Sequence, residues 1–158
     1  IDYFYSYLYN FWKMFIDNFP GVKDYVDKCN DENAASSYRN KNSGGLLYFR
    51  PIALPQLIKA ILETQLRTQM VLTECMAKYA QVEMCISREP WVQLLWNVKA
   101  QTMIMKYKTN IFHMLIYLFS KDLLSQKEKY TLLKNYAEAN DIDELAADQR
   151  LSGLTSVL

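Results

Sequence analysis

Only four glycines and four prolines punctuate 158 residues, and this scarcity constrains the fold more than any other feature. A β-sandwich or barrel needs a turn signal roughly every 8–12 residues, which so few chain breakers cannot supply. Between them, apolar residues recur at helical spacing. Tyr3, Phe4, Tyr7, Leu8, Phe11, Trp12, Phe15 and Phe19 follow an i, i+4, i+7/8 pattern, which predicts an amphipathic helix over residues 3–19. Pro20-Gly21 stops it. A short helix is predicted over Val22–Cys29, with Val22, Tyr25 and Val26 inward. Residues 30–45 are polar, end in Gly44-Gly45 and read as a loop.

Leu46–Phe49 reads as a short strand or extended segment. Arg50 precedes Pro51 and is pushed out of helical geometry. Pro55 suits a first helical turn. The apolar residues from Leu57 to Ala80 (Leu57, Ile58, Ile61, Leu62, Leu66, Met70, Met76, Tyr79) predict one long helix reaching about Met84 and stopped near Ser87–Pro90. Trp91–Asn97 reads equally as a strand or a helix start. Thr109–Leu118 is predicted to be a buried helix. Ser125 with Glu128 matches a capping box that opens a helix to about Ala139. Asp141 with Glu144 opens a last short helix, and Leu151–Leu158 is expected to fray. The fold class expected is mostly α: an irregular helical bundle with one or two short extended segments. It reads as a single domain over 1–158, with aromatic helices (1–29), a loop (30–45), a central helical core (46–124) and C-terminal helices (125–158). The chain opens at Ile1, inside the aromatic pattern, and so reads as a piece of a longer protein.

Composition excludes several classes. With 51% apolar and 22% charged residues, the chain is not disordered. Ile1 to Phe19 is interrupted by Asp2, Asn10, Lys13 and Asp17. It falls short of the ~20 apolar residues of a membrane span, and it lacks the basic start and cleavage site of a signal peptide. No membrane partner is expected. Cys29, Cys75 and Cys85 are odd in number and form no CxxC pair, which fits free thiols in a reducing, cytoplasmic setting. His113 is the only histidine, so zinc sites built on two or three histidines are excluded. It sits inside Ile111–Ile116 and reads as a core or boundary residue. Glu63, Glu74, Glu83 and Glu89 never fall at i, i+3 or i, i+4, and no GxSxG, HExxH, EF-hand or P-loop pattern occurs. No catalytic residue, metal or cofactor is nominated.

Charge is uneven. Net charge is −1 over residues 1–45, +4 over 46–124 and −2 over 125–158. Arg39, Lys41 and Arg50 flank the Gly-Gly turn, where backbone amides and cations suit a phosphate. The plain alternative is a solvated loop with an arginine capping nearby carbonyls. Lys99, Lys106 and Lys108 surround Trp91–Met105, a combination that suits nucleic acid because bases stack on rings while lysines meet phosphates. The alternative is that Trp91 and Trp96 are core. Tyr3, Tyr7, Phe11, Trp91 and Trp96 are the candidate interaction surface.

The stretch from Tyr38-Arg39 through Gly44-Gly45-Leu46-Leu47-Tyr48-Phe49-Arg50-Pro51-Ile52 to Leu54 resembles the C-terminal region of the DGQHR-domain family. That group includes DndB-like regulators of DNA sulfur modification. Phe11-Trp12, Phe19-Pro20, Pro90–Asn97, Met103-Ile104 and Asn110 extend the likeness over residues 10–120. The Asp-Gly-Gln-His-Arg motif that names the family, which lies in its ParB-like N-terminal portion, is absent here, and Ala53 stands where the family has Gly. The resemblance implies a helical module of a bacterial DNA-binding regulator of phosphorothioation, tied to phage defence, that contacts DNA through phosphates. The alternative is a structural or oligomerisation domain that docks on the family's N-terminal portion or on a second copy. An enzyme acting on nucleic acid is the least favoured reading.

Overall fold

The computed structural model describes residues 2–28, 30–31, 33–40 and 42–154. Among them lie α1 (Asp2–Asn18), α2 (Pro20–Asp27), α3 (Ala34–Tyr38), α4 (Leu54–Thr68), α5 (Leu72–Tyr79), α6 (Asn110–Phe119), α7 (Gln126–Asn140) and α8 (Glu144–Ser152). Short 3-10 turns cover Leu47–Phe49 and Lys121–Leu123. Strands β1 (Trp96–Asn97) and β2 (Thr102–Met103) pair antiparallel, Trp96 opposite Met103 and Asn97 opposite Thr102. The chain is therefore mostly α, an irregular helical bundle with one small antiparallel pair.

The bundle is organised around α6. Every residue of α6 except His113 is buried, the pattern of a helix apolar all round and enclosed by protein. α4 and α7 pack on it, α5 packs on α4 and α8 on α7. The Tyr117 hydroxyl at the far end of α6 donates to Asp148 Oδ1 at 3.1 Å, tying α6 to α8. α7 opens with the expected capping box: Ser125 Oγ accepts from the Glu128 amide and the Glu128 carboxylate accepts from the Ser125 amide at 2.8 Å.

The structure corrects several sequence expectations. The long helix predicted from Pro55 to about Met84 breaks at Gln69, whose φ is 58°. A straight helix of that length runs about 45 Å and carries its second half away from the core. The break folds α5 back on α4, so that the buried Tyr79 hydroxyl meets Thr64 Oγ1 at 2.8 Å. Leu66, predicted inward, is 67% exposed. Val26 is exposed while Val22 and Tyr25 are half-buried. The 30–45 loop contains α3, whose Ser36 and Ser37 hydroxyls bond back to Asn33 and Ala34 carbonyls. Leu47–Phe49 is a 3-10 turn, not a strand; only Leu46 bridges to Cys85. Trp91–Asn97 is neither a helix nor a full strand, but turns leading into β1. Asp143, not Asp141, caps α8, accepting from the Ala146 amide at 2.7 Å. Asp141 adopts the left-handed conformation that ends α7. Leu151 is fully buried, so the expected fraying does not begin there; residues 155–158 lie outside the described residues.

The Gly44-Gly45 turn needs its glycines. Both have positive φ, 70° and 75°, and a Cβ on Gly45 would stand 1.9 Å from the Tyr38 carbonyl oxygen. That carbonyl accepts from the Leu46 amide, which locks the end of α3 to the 3-10 turn. Gly45→Ala is expected to lower stability by roughly 2 kcal/mol or more, read as a fall in the urea midpoint with the m-value unchanged.

Candidate functional site

The cations singled out in the sequence are not brought together as one basic face. Arg50 is half-buried. Its Nε donates to the Gly44 carbonyl at 2.9 Å, Nη2 donates to the same oxygen, and the guanidinium lies 5.5 Å from the Trp96 ring centroid. It clamps the Gly-Gly turn, as in the carbonyl-capping alternative. Arg39 is exposed and donates from Nε to the Phe49 carbonyl at 2.8 Å. Lys106 is paired with Glu138 at 2.5 Å. Lys99 and Lys108 are exposed, and Lys41 lies outside the described residues.

The candidate interaction residues divide in the same way. Tyr3 and Tyr7 stand in solvent, whereas Phe11, Trp91 and Trp96 are core. The reason is geometric for each. Phe11, Phe15 and Phe19 recur every fourth residue and stack into the bundle, with centroids 6.4 and 4.4 Å apart. Trp91 is fully buried, its indole N–H donating to the Glu83 carbonyl at 2.5 Å, and Trp96 sits under Arg50.

Two recesses have defined chemistry. The first, about 360 Å³, is lined by Trp12 and Phe15 of α1, Val22 and Tyr25 of α2, and Tyr48, Phe49, Pro51 and Leu54, with Arg39 and Arg50 beside them. Its aromatic wall is held by mutual contacts. Tyr38 stacks on Phe49 at 4.5 Å, and Tyr25 meets both edge-on at 5.8 and 5.4 Å. The Tyr38 hydroxyl donates to the Asp24 carboxylate. Burial, and then the like charge of Arg39, pull the Arg50 guanidinium below its ordinary range. Among the described residues no carboxylate pairs with either arginine. Beside this recess, Trp12 and Leu54 also border an apolar groove along α4 that includes Ile58, Leu62 and Leu66. The sequence pattern alone places Ile58, Leu62 and Leu66 in one inward stripe with Leu57 and Ile61. Their i, i+4, i+8 spacing is a second stripe, distinct from the core stripe of Leu57, Ala60, Ile61 and Thr64, and that spacing was the available signal.

The second recess, about 470 Å³, is polar, and its lining includes Lys59, Glu63, Arg67, Phe112, His113 and Glu128. Arg67 reaches Glu63 at 2.8 Å and Glu128 at 3.6 Å. His113 Nε2 lies 3.7 Å from Glu128 Oε1, and the Lys59 ammonium lies 4.4 Å from the Phe112 ring centroid. The charges compensate one another, so this recess staples α4, α6 and α7 without calling for a ligand. His113 is the boundary residue expected from its sequence run. Among the described residues no three His, Cys, Asp or Glu side chains form a metal-binding group. Cys75 and Cys85 are free thiols, burial pushing Cys75 up to about 11; Cys29 lies outside the described residues. No described helix is long and apolar enough to cross a membrane.

Neither a family model, a curated protein nor a solved structure matches this chain.

Two outcomes follow from these contacts. Arg50→Gln is expected to cost roughly 1–3 kcal/mol of stability, because it frees a carbonyl and uncovers Trp96, measured by urea unfolding. Burial holds the His113 pKa below its ordinary 6.5, despite the opposing pull of Glu128. The folded state therefore binds fewer protons than the unfolded chain. Stability is full above pH 6.5 and is lost as pH falls through the folded value. His113→Gln should flatten that part of the stability–pH curve. The Glu128 carboxyl, held low chiefly by Ser125, acts in a separate window below its ordinary 4.5.

Proposed function

We propose that this chain is an assembly module that pairs with a second copy of itself through the N-terminal half of α1. One observation carries the proposal: Tyr3, Phe4, Tyr5, Tyr7, Tyr9 and Trp12 are between 40% and 86% exposed. The rings spread over about two-thirds of the helix circumference, and Asp2, Ser6, Asn10 and Lys13 fill the remaining strip. An apolar face that wide, left uncovered by the chain's own helices, marks an interaction surface. At about 200 Å² per fully exposed ring, the six rings present roughly 700 Å², close to the ~800 Å² per partner of a standard interface. The face continues onto α4 through Ile58, Leu62 and Leu66. Asp2 is the only charged residue before Lys13, so two copies approach with little like-charge repulsion, and tyrosine hydroxyls keep solvent contact at the rim.

This reading takes up the interaction role expected of the region, with Tyr3 and Tyr7 in the contact. It takes the oligomerisation alternative to the DNA-contact role that the resemblance to DndB-like regulators of DNA phosphorothioation implies. The DNA-backbone role has less support, because the nominated cations form no common face and Lys106 is paired with Glu138.

Sedimentation equilibrium at micromolar concentration tests the proposal. The expected result is a dimer that the triple variant Tyr3→Ser, Phe4→Ser, Tyr7→Ser converts to a monomer by at least tenfold weaker association. Its helical circular dichroism and Tm should be unchanged, because these side chains lie outside the core. A monomeric wild type that binds a short duplex with steep salt dependence would overturn assembly in favour of DNA contact. A triple variant that remains dimeric would also overturn it.

A further inference from the structure

A half-buried guanidinium with no carboxylate beside it is uncommon, because charge taken out of water needs a partner. Here one such group, Arg50, borders an apolar cavity together with the exposed Arg39, and neither pairs with a carboxylate among the described residues. We propose that the recess between α1, α2 and the segment 48–54 binds a small amphipathic anion, with an aromatic or acyl body against the rings and a carboxylate or phosphate head on Arg39 and Arg50.

The physical argument has three parts. The cavity, about 360 Å³, lies within the range of small-molecule sites, which are concave and largely apolar with a few placed polar groups. Trp12, Tyr25 and Phe49 give it ring walls, and the contacts among Tyr25, Tyr38 and Phe49 hold those walls in place without a ligand. The polar groups are two cations with donors to spare. Arg39 spends Nε on the Phe49 carbonyl, and Arg50 spends Nε and Nη2 on the Gly44 carbonyl. Each guanidinium carries five N–H donors in a planar fork, so both Nη groups of Arg39 and the Nη1 group of Arg50 have no partner among the described residues. Their anchored Nε atoms hold the forks in place, and an oxyanion between them accepts charge-assisted hydrogen bonds while relieving the repulsion of two like charges. The polar recess beside His113 differs on this point, since its cations are matched by Glu63 and Glu128.

Trp12 borders both the pairing face and this recess, but Tyr3, Phe4 and Tyr7 do not line the recess, so the triple variant allows ligand binding to be read with pairing removed. Titration calorimetry of the full chain with 2-naphthoate and decanoate, against the neutral 2-naphthalenemethanol and decanol, provides the test. Both acids are expected to bind at least about tenfold more tightly than their neutral counterparts, and inorganic phosphate alone should bind weakly or not at all. Arg39→Gln should erase that preference and Arg39→Lys should restore part of it. Arg39 is exposed and makes one hydrogen bond, so the fold tolerates its replacement. Val22→Trp, which fills the cavity from α2 and keeps both arginines, should abolish binding of all four organic probes. Equal affinity for acid and neutral probes, an unchanged preference in Arg39→Gln, unchanged binding in Val22→Trp, or no binding of either acid at millimolar concentration would each overturn the proposal.

Discussion

The burial of α6 is the constraint on which the rest of the structure depends. A ten-residue helix with nine buried positions must be covered on every side, and the remaining elements are arranged to cover it. α4 supplies one wall and α7 another. α5 must turn back on α4, because a straight continuation leaves Cys75, Met76 and Tyr79 without a core to enter. Several polar atoms carried inside by this arrangement find partners along the way: Thr64 with Tyr79, Tyr117 with Asp148, and Asn110 Oδ1 with the Asn135 amide at 3.0 Å, whereas Asn110 Nδ2 and Trp96 Nε1 are buried without one among the described residues. His113 is the single position on α6 that reaches the surface, and there it meets the Glu128 carboxylate that also closes the cap of α7.

The same physics gives α1 its divided character. Its C-terminal half belongs to the fold, with Phe11 and Phe15 buried and Phe19 continuing the stack across the helix break. Its N-terminal half carries more rings, Tyr3, Phe4, Tyr5, Tyr7 and Tyr9, yet leaves them in solvent. The sequence pattern does not distinguish the two halves, since the apolar spacing runs through both. The difference is one of available surface: α1 packs on α5 and Phe19 meets Tyr48 edge-on, whereas Tyr3 is 86% exposed. An apolar half-helix anchored firmly at one end is a stiff docking element, which is the physical basis for reading this chain as an assembly module.

Arg50 connects the turn to the cavity. Its guanidinium holds the Gly44 carbonyl and covers Trp96, fixing a glycine turn whose positive φ angles no other residue adopts without strain. By doing so it brings one unmatched positive charge beside Arg39 at an aromatic recess. Fold stability and a ligand-like charge arrangement thus share one side chain. The glycines, Arg50 and Pro51 were each legible as a motif. Their joint effect was not, because it depends on Trp96 arriving from a distant part of the chain.

The sequence alone determined the helical class, because breakers are scarce and apolar residues recur at helical spacing. It also determined the buried helix around Ile111–Leu118, the capping box of Ser125 and Glu128, the stop at Pro20 and the extended geometry of Arg50 before Pro51. These are local effects, set by a few neighbouring residues. The tertiary structure alone decided the reversal at Gln69, the burial of Trp91 and Trp96, the two faces of α4, the engagement of Arg50 and Lys106 within the chain, and the cap of α8 at Asp143. Each depends on which surfaces meet after the chain has folded back on itself, and spacing along a sequence carries no record of which apolar stripe finds a neighbour and which is left facing water.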